Sequence, residues 1–407
     1  MVNYSTVVDV LRHRATTQQN QLAYTFLADG ETESDRITYQ ELDTQARAIA
    51  VRLLSEVNRG DRALLVYPYS NGIEFIAAFL GCLYAGVIAV TDYPRRHIKS
   101  LSQYQARIVD SQAAIALTTQ EFVDRVKSQL VANPGLAVKL KALPWIASDR
   151  VDVNLAGDWQ PPQIDGDSLA FLQYTSGSTG SPKGVMVSHG NVLHNSEAIK
   201  QSFQTHRDST ILIWLPMFHD MGLIGGVMQP LYLGSSAILM SPIALAQQPF
   251  LWLQAISRYR ATTSGGPNFA YDLLCHKVTE EQRANLDLSC WQVAFSGAEP
   301  VRAETLENFS KLYSPYGFNP QAFYPCYGMA EATLFITGIN AQEYPTITHL
   351  DKKALTQDKI VPVPANHPDA KAVVSCGYTW LGDEVIIVDP ETKTKRESDG
   401  ASAPSTK

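Results

Sequence analysis

The sequence predicts an α/β protein of two similarly wound subdomains followed by a small β-barrel region. Three observations carry that expectation. From Arg62 a strand pattern ("ALLVY"), a turn at Pro68, an apolar helix ("GIEFIAAFLGCLYAG") and a second strand ("VIAV") end at Pro94, which reads as one parallel strand-helix-strand unit. The pattern then recurs as "LIWLP", "MGLIGGVMQPLYLG" and "AILMSP". Pro216, Leu231, Tyr232, Gly234 and Pro242 fall opposite Pro68, Leu83, Tyr84, Gly86 and Pro94 without a gap. In both copies a helix and a short strand follow, "AAIALTT" in the first and "ATTSGGP" in the second. Open α/β sheets bind ligands at the carboxyl ends of their strands, so two such halves offer a crevice between them.

The elements follow in order. Val7 to Ala15 and Leu42 to Leu54 carry apolar residues at helical spacing, and Thr38 with Glu41 three positions on suits a capping box. After the first unit, "LAFLQY" runs into "TSGSTGSPKGVMVSHGNV", a turn of glycines and hydroxyl residues with one lysine, Lys183. Glycine and clustered backbone donors suit such a turn to cradle phosphate. Its spacing fits neither a Walker loop, because Pro182 and Gly184 flank the lysine, nor a dinucleotide fingerprint, because no glycine stands at 175.

Further strand ends repeat the pattern of apolar run, small-residue turn and helix. "MFHDMG" brings His219 and Asp220 to such an end; His219 is either structural or functional, and no second histidine stands at metal spacing. Gly265 and Gly266 precede Asn268 and Phe269, where packing alone also explains the glycines. "WQVAFSGAEP" runs into Gly297, Ala298 and Glu299, with helical spacing resuming from Ala303 to Leu312. "AFYPCYGMAEATLFI" runs into Tyr327 and Gly328, with a new helix expected at Glu331. A flat base fits against turns of this kind, and Tyr327 is placed to stack on it. Glu331 is the one carboxylate in its turn, a position that a helix dipole also favours. "VSCGYTW" and "DEVIIVD" look like strands, and the end is polar.

Composition excludes several classes. The chain has 407 residues, 45% apolar and 18% charged, with a formal net charge of -7. That balance suits a soluble protein with ample core and argues against a nucleic-acid binder. Cys82, Cys275, Cys290, Cys326 and Cys376 form no C-x-x-C pair, so neither a zinc site nor a disulfide framework is indicated. The amino terminus lacks the apolar core of a signal peptide, and no later run reaches the length of a membrane span. A cytoplasmic protein is expected. Nothing in the sequence marks an oligomeric state.

Taken together, "YTSGSTGSPKGV", "WLPMFHDMGLIGGVMQPLYLG", "SGGPNFAYDLL", "FSGAEPVRAETLENF" and "FYPCYGMAEATLF" closely resemble the fatty acyl-AMP ligases, a branch of the adenylate-forming superfamily. The loading modules of cyanobacterial polyketide and olefin synthases look especially similar. The resemblance spans roughly residues 7 to 390. It implies ATP and Mg²⁺ as cofactors, a fatty acid as substrate and an acyl carrier protein, through its phosphopantetheine arm, as acceptor. Charge and composition lead to the expectation of no nucleic acid and no membrane as partners. By the same resemblance the phosphate loop is Thr175, Ser176, Gly177, Ser178, Thr179, Gly180 and Lys183. The adenine turn is Gly297, Ala298 and Glu299, and a second nucleotide turn is Tyr327, Gly328, Met329 and Ala330. Glu331 is the magnesium-associated acid, and His219 stands beside the site of adenylate formation. Met221, Gly266, Asn268 and Phe269 border the acyl tunnel, and a branch-specific insertion falls within Thr346 to Pro368.

The implied organisation is a first α/β subdomain at 1–175, a second with the nucleotide cleft at 176–340, a β-barrel part at 341–400 and a polar tail at 401–407. "AVTDYPRR" departs from the family's "AVPAYPPRR" form. The chain also stops before the family's ribose-binding aspartate, hinge and catalytic lysine. It therefore reads as the amino-terminal portion of a larger enzyme. An acyl-CoA synthetase, or a module that holds ATP or acyl-adenylate without turnover, are the alternatives.

Overall fold

A computed structural model describes residues 4–92, 101–132, 142–175, 183–341 and 343–395, with the backbone alone at 101–103 and 129–132. Two large sheets dominate it. The six-stranded sheet runs in the order Trp145–Ala147, Ala113–Thr118, Arg62–Val66, Ile88–Asp92, Leu169–Thr175, Lys183–Ser188. All its pairs are parallel except the last. The nine-stranded sheet has the same winding at its centre. Thr263–Gly265, Thr210–Ile213 and Ser236–Met240 are consecutive neighbours, as Ala113–Thr118, Arg62–Val66 and Ile88–Asp92 are in the first sheet.

The repeated unit is therefore present in three dimensions. In each copy the helix ends on a glycine in the left-handed region, Gly86 at φ 67° and Gly234 at φ 72°, a conformation that suits glycine because it has no Cβ. The copies differ in the helix itself. Gly72–Ala85 is a regular α-helix, whereas Met221–Met228 is a π-helix continued by the short α-helix Gln229–Leu233. Wide turns of this type are rare and are found disproportionately at functional sites.

Sheet membership does not divide at residue 175. The first sheet is completed by the antiparallel hairpin 169–188, so it extends past that boundary. The second is completed by an amino-terminal hairpin, in which Leu22–Leu27 pairs parallel with Ser236–Met240 and antiparallel with Asp35–Thr38. Each hairpin leads into a helix with a capping box. Thr38 accepts from the Glu41 amide and Ser188 from that of Asn191, and each partner side chain returns the contact.

Two local expectations change. "ATLFI" was expected to open a helix, but Phe335–Gly338 is a strand antiparallel to Phe323–Gly328, reached through the short 3-10 turn Ala330–Ala332. Its β-branched and aromatic residues favour that state. In place of a closed barrel, the described residues after 341 form a two-stranded sheet, Ile347–Asp351 with Ala370–Val374, and an edge strand, Tyr378–Thr379, on the larger sheet. Val385, Ile386 and Ile387 are exposed and not in a strand.

Candidate active site

Parallel strands Thr263–Gly265, Val293–Ser296 and Phe323–Gly328 release their chains at one edge of the larger sheet. There Gly297, Ala298, Tyr327 and Gly328 rim a cavity of about 230 Å³. Close backbone approach requires the two glycines. A Cβ on Gly328 would lie 2.0 Å from the Leu334 carbonyl oxygen, and one on Gly297 would lie 3.0 Å from that of Cys326. Ala298 sits at φ 66°, a left-handed conformation that costs a non-glycine residue and is seen most often where a site demands it. Tyr327 is half-exposed. Behind this rim the walls are apolar, with Ile213, Phe295 and Phe335 among them.

His219 and Met221 enter the same cavity from the loop after Thr210–Ile213. That loop is clamped by the first sheet, because the Phe218 carbonyl accepts from Gln173 Nε2 at 2.8 Å and from Thr91 Oγ1 at 3.3 Å. His219 Nδ1 lies 2.5 Å from Asp220 Oδ1, and that carboxylate oxygen also accepts from the Met221 amide at 2.7 Å. The hydrogen bond and charge of Asp220 raise the His219 pKa above its ordinary value, against the opposing effect of burial. The imidazolium therefore persists to higher pH than a free histidine, and its attraction for an anion is lost as pH rises through the raised pKa. Asp220→Asn keeps the shape and the amide contact but removes the charge. It is expected to move the alkaline fall of activity to lower pH, measured as the pH profile of kcat/KM; an unchanged profile would remove His219 from that role.

The segment expected to be a phosphate loop is bracketed by the structure. Thr175 and Lys183 are register partners at the loop end of the hairpin, so the two ends of the loop stand side by side. Ser176, Gly177, Ser178, Thr179 and Gly180 lie outside the described residues. Tyr174, just before the loop, donates to Asp110 at 2.5 Å and carries the Arg107 guanidinium 3.7 Å from its ring centroid. Arg107 also lies 3.4 Å from Asp92. Sequence reasoning missed this brace, because its members come from separate elements with no motif between them.

Glu331 opens into a neighbouring cleft, with Met329 and Ala330 beside it and Met186 facing them. Its turn packs on strand Lys183–Ser188, and Val185, Met186 and Val187 of that strand line the same cleft. Tyr327 and Phe335 line both the cleft and the cavity holding His219. Glu299 is exposed, and its Oε1 accepts from the Phe269 amide at 3.4 Å. Of the expected acyl residues, Met221 lines the cavity and Gly266, Asn268 and Phe269 lie outside it. The Asn268 side chain serves the backbone instead, donating to the Pro300 carbonyl at 2.9 Å and accepting from the Arg302 amide at 3.0 Å.

Comparison with known proteins shows the family. Residues 11–401 match the AMP-binding enzyme family. The chain is 46% identical to the medium-chain fatty acid–acyl-carrier-protein ligase JamA of Moorena producens (strain JHB), over 97% of this chain and 67% of JamA. It is 35% identical to TtuA of Teredinibacter turnerae (strain ATCC 39867 / T7901), a ligase of the same description, over 95% of this chain and 65% of TtuA. It superposes with a TM-score of 0.88 on a fatty acyl-adenylate ligase from Legionella pneumophila solved with acyl adenylate and pyrophosphate. That protein is 41% identical, over 96% of this chain and 66% of the other. The chain thus spans about two thirds of the length of these relatives. It belongs to the AMP-binding, adenylate-forming enzymes, with the fatty acyl-AMP ligases as its relatives.

Proposed function

We propose that the protein activates a fatty acid with ATP as acyl-AMP and serves its transfer to the phosphopantetheine thiol of an acyl carrier protein. The observation that carries this reading is a largely apolar cavity lined by the Gly297–Ala298 and Tyr327–Gly328 turns together with His219. A fatty carboxylate at the rim attacks the α-phosphorus, forming the acyl–oxygen–phosphorus bond as the bond to pyrophosphate breaks. The carrier thiol then takes the acyl group and AMP leaves. Such chemistry needs positioning and charge neutralisation more than covalent help from the protein.

Each group has a part in that scheme. Tyr327 stacks on the base, and Thr175 and Lys183, with the loop between them, hold the β and γ phosphates. His219 orients the carboxylate or the α-phosphate. Met221 borders the acyl chain. Among the described residues no group of three histidines, cysteines or carboxylates is placed to hold a metal, so a cation here fits Glu331 together with phosphate oxygens and water. Mg²⁺ bound in that way offsets phosphate charge.

Five free cysteines and the negative net charge support a cytoplasmic setting. Among the described residues no helix is long and apolar enough to cross a membrane. The test is to incubate the protein with ATP, Mg²⁺ and graded fatty acids and to read acyl-AMP by mass. Acyl-AMP from at least one medium-chain acid is expected, followed by acyl transfer to a holo carrier protein. Acyl transfer to coenzyme A in its place would overturn the choice of acceptor.

A further inference from the structure

The cavity that accepts the acyl chain is apolar along its length but polar at its floor. Ile211 and Thr263 are register partners near the amino ends of their strands, while Gly297 and Gly328 stand at the carboxyl ends that form the rim. At about 3.3 Å of rise per residue, Thr263 lies roughly 7 Å below Gly265 on its strand, away from the rim. Gln229 lines the cavity two turns beyond Met221, and Thr205 lines it from the loop before strand Thr210–Ile213.

These three side chains are all more than nine-tenths buried, with Gln229 at 2%, Thr263 at 4% and Thr205 at 6% exposure. Thr205 Oγ1, Thr263 Oγ1 and both polar atoms of the Gln229 amide have no hydrogen-bond partner among the described residues. Buried polar groups in native proteins are almost always satisfied, by ordered water or by a ligand where protein supplies no partner. Four such atoms around one small cavity are a built feature, distinct from the rim.

We infer that Thr205, Gln229 and Thr263 form a polar end-stop that sets which acyl chains are accepted. The inference rests on the acyl-activating function proposed above. An apolar chain that stops short of the floor leaves room for ordered water to satisfy these groups and gains the full benefit of the apolar walls. A longer one must strip their water and offer nothing in return. A chain of that greater length ending in a hydroxyl replaces the lost hydrogen bonds and is accepted.

The test compares kcat/KM for acyl-AMP formation over a graded series of unsubstituted acids and their ω-hydroxy counterparts. The unsubstituted series is expected to fall sharply beyond one length, and the hydroxyl at that length to restore kcat/KM by about tenfold or more. Gln229→Leu and Thr263→Val, each checked for an intact thermal melt, are expected to extend the series to longer unsubstituted acids and to erase the hydroxyl advantage. A hydroxyl that lowers kcat/KM at every length, or a length profile unchanged in both variants, overturns the end-stop while leaving acid activation standing. Absence of acyl-AMP from every acid refutes the activating function, and the end-stop with it.

Discussion

Replacing Glu331 by alanine is expected to lower the rate of acyl-AMP formation by about 10²- to 10³-fold, the usual loss when one preorganised charge-stabilising group is removed from a reacting centre. The turn Ala330–Ala332 offers a single carboxylate, and it packs on the strand that leaves the phosphate loop at Lys183. Asp383 and Glu384 line the same cleft but come from the chain after the edge strand Tyr378–Thr379, not from the turn itself. Glu331→Gln keeps the size and loses the charge, so it is expected to be nearly as deficient. Glu331→Asp keeps the charge at a shorter reach and is expected to fall between. Because the side chain is exposed and has no hydrogen-bond partner among the described residues, the thermal melt of each variant is expected to change little. Unaltered pyrophosphate release by Glu331→Ala would remove this residue from the chemistry.

What could be read in the sequence depended on whether the information was local. The matched glycines Gly86 and Gly234 end equivalent helices because each must adopt a left-handed backbone, a constraint visible at one position. The strand-end turns at Gly297 and Gly328 were likewise legible as small residues after apolar runs. The amino-terminal hairpin was not, because nothing within Leu22–Thr38 says that its partner is a strand some two hundred residues away. A helix is expected at Glu331 because the preceding pattern leads into helices, but a single 3-10 turn, Ala330–Ala332, and the positive φ of Thr333, at 71°, turn the chain into the strand Phe335–Gly338. At the site, His219 was found by its motif. Its coupling to the adjacent Asp220 depends on side-chain directions that spacing does not fix. The unpartnered amide of Gln229 lay in an apolar stretch, where a lone polar residue reads as surface until its burial is known.

Trp252→Ala is expected to destabilise the protein by about 3–5 kcal/mol, the range for deleting a fully buried aromatic side chain. Trp252 sits on helix Phe250–Tyr259, has no exposed surface, and packs against three rings, Trp214, Tyr271 and Trp291, at centroid distances of 5.6–5.7 Å. Its Nε1 donates to Ser264 Oγ at 2.8 Å, and that hydroxyl donates in turn to the Leu212 carbonyl at 2.7 Å. One side chain thus fixes both the core behind the larger sheet and the alignment of the strands that carry Thr263 and Ile213 into the cavity proposed to take the acyl chain. The loss should appear as a lower denaturation midpoint in urea with little change in slope. The variant is also expected to raise KM for the fatty acid more than for ATP, because the turns proposed to hold the nucleotide follow the next two strands of the sheet, Val293–Ser296 and Phe323–Gly328. Trp252→Phe keeps most of the ring volume and forfeits the Ser264 hydrogen bond, so a loss of roughly 1 kcal/mol is expected from that bond. A shift for Trp252→Ala no larger than that for Trp252→Phe would show that ring packing is not what holds these strands in place.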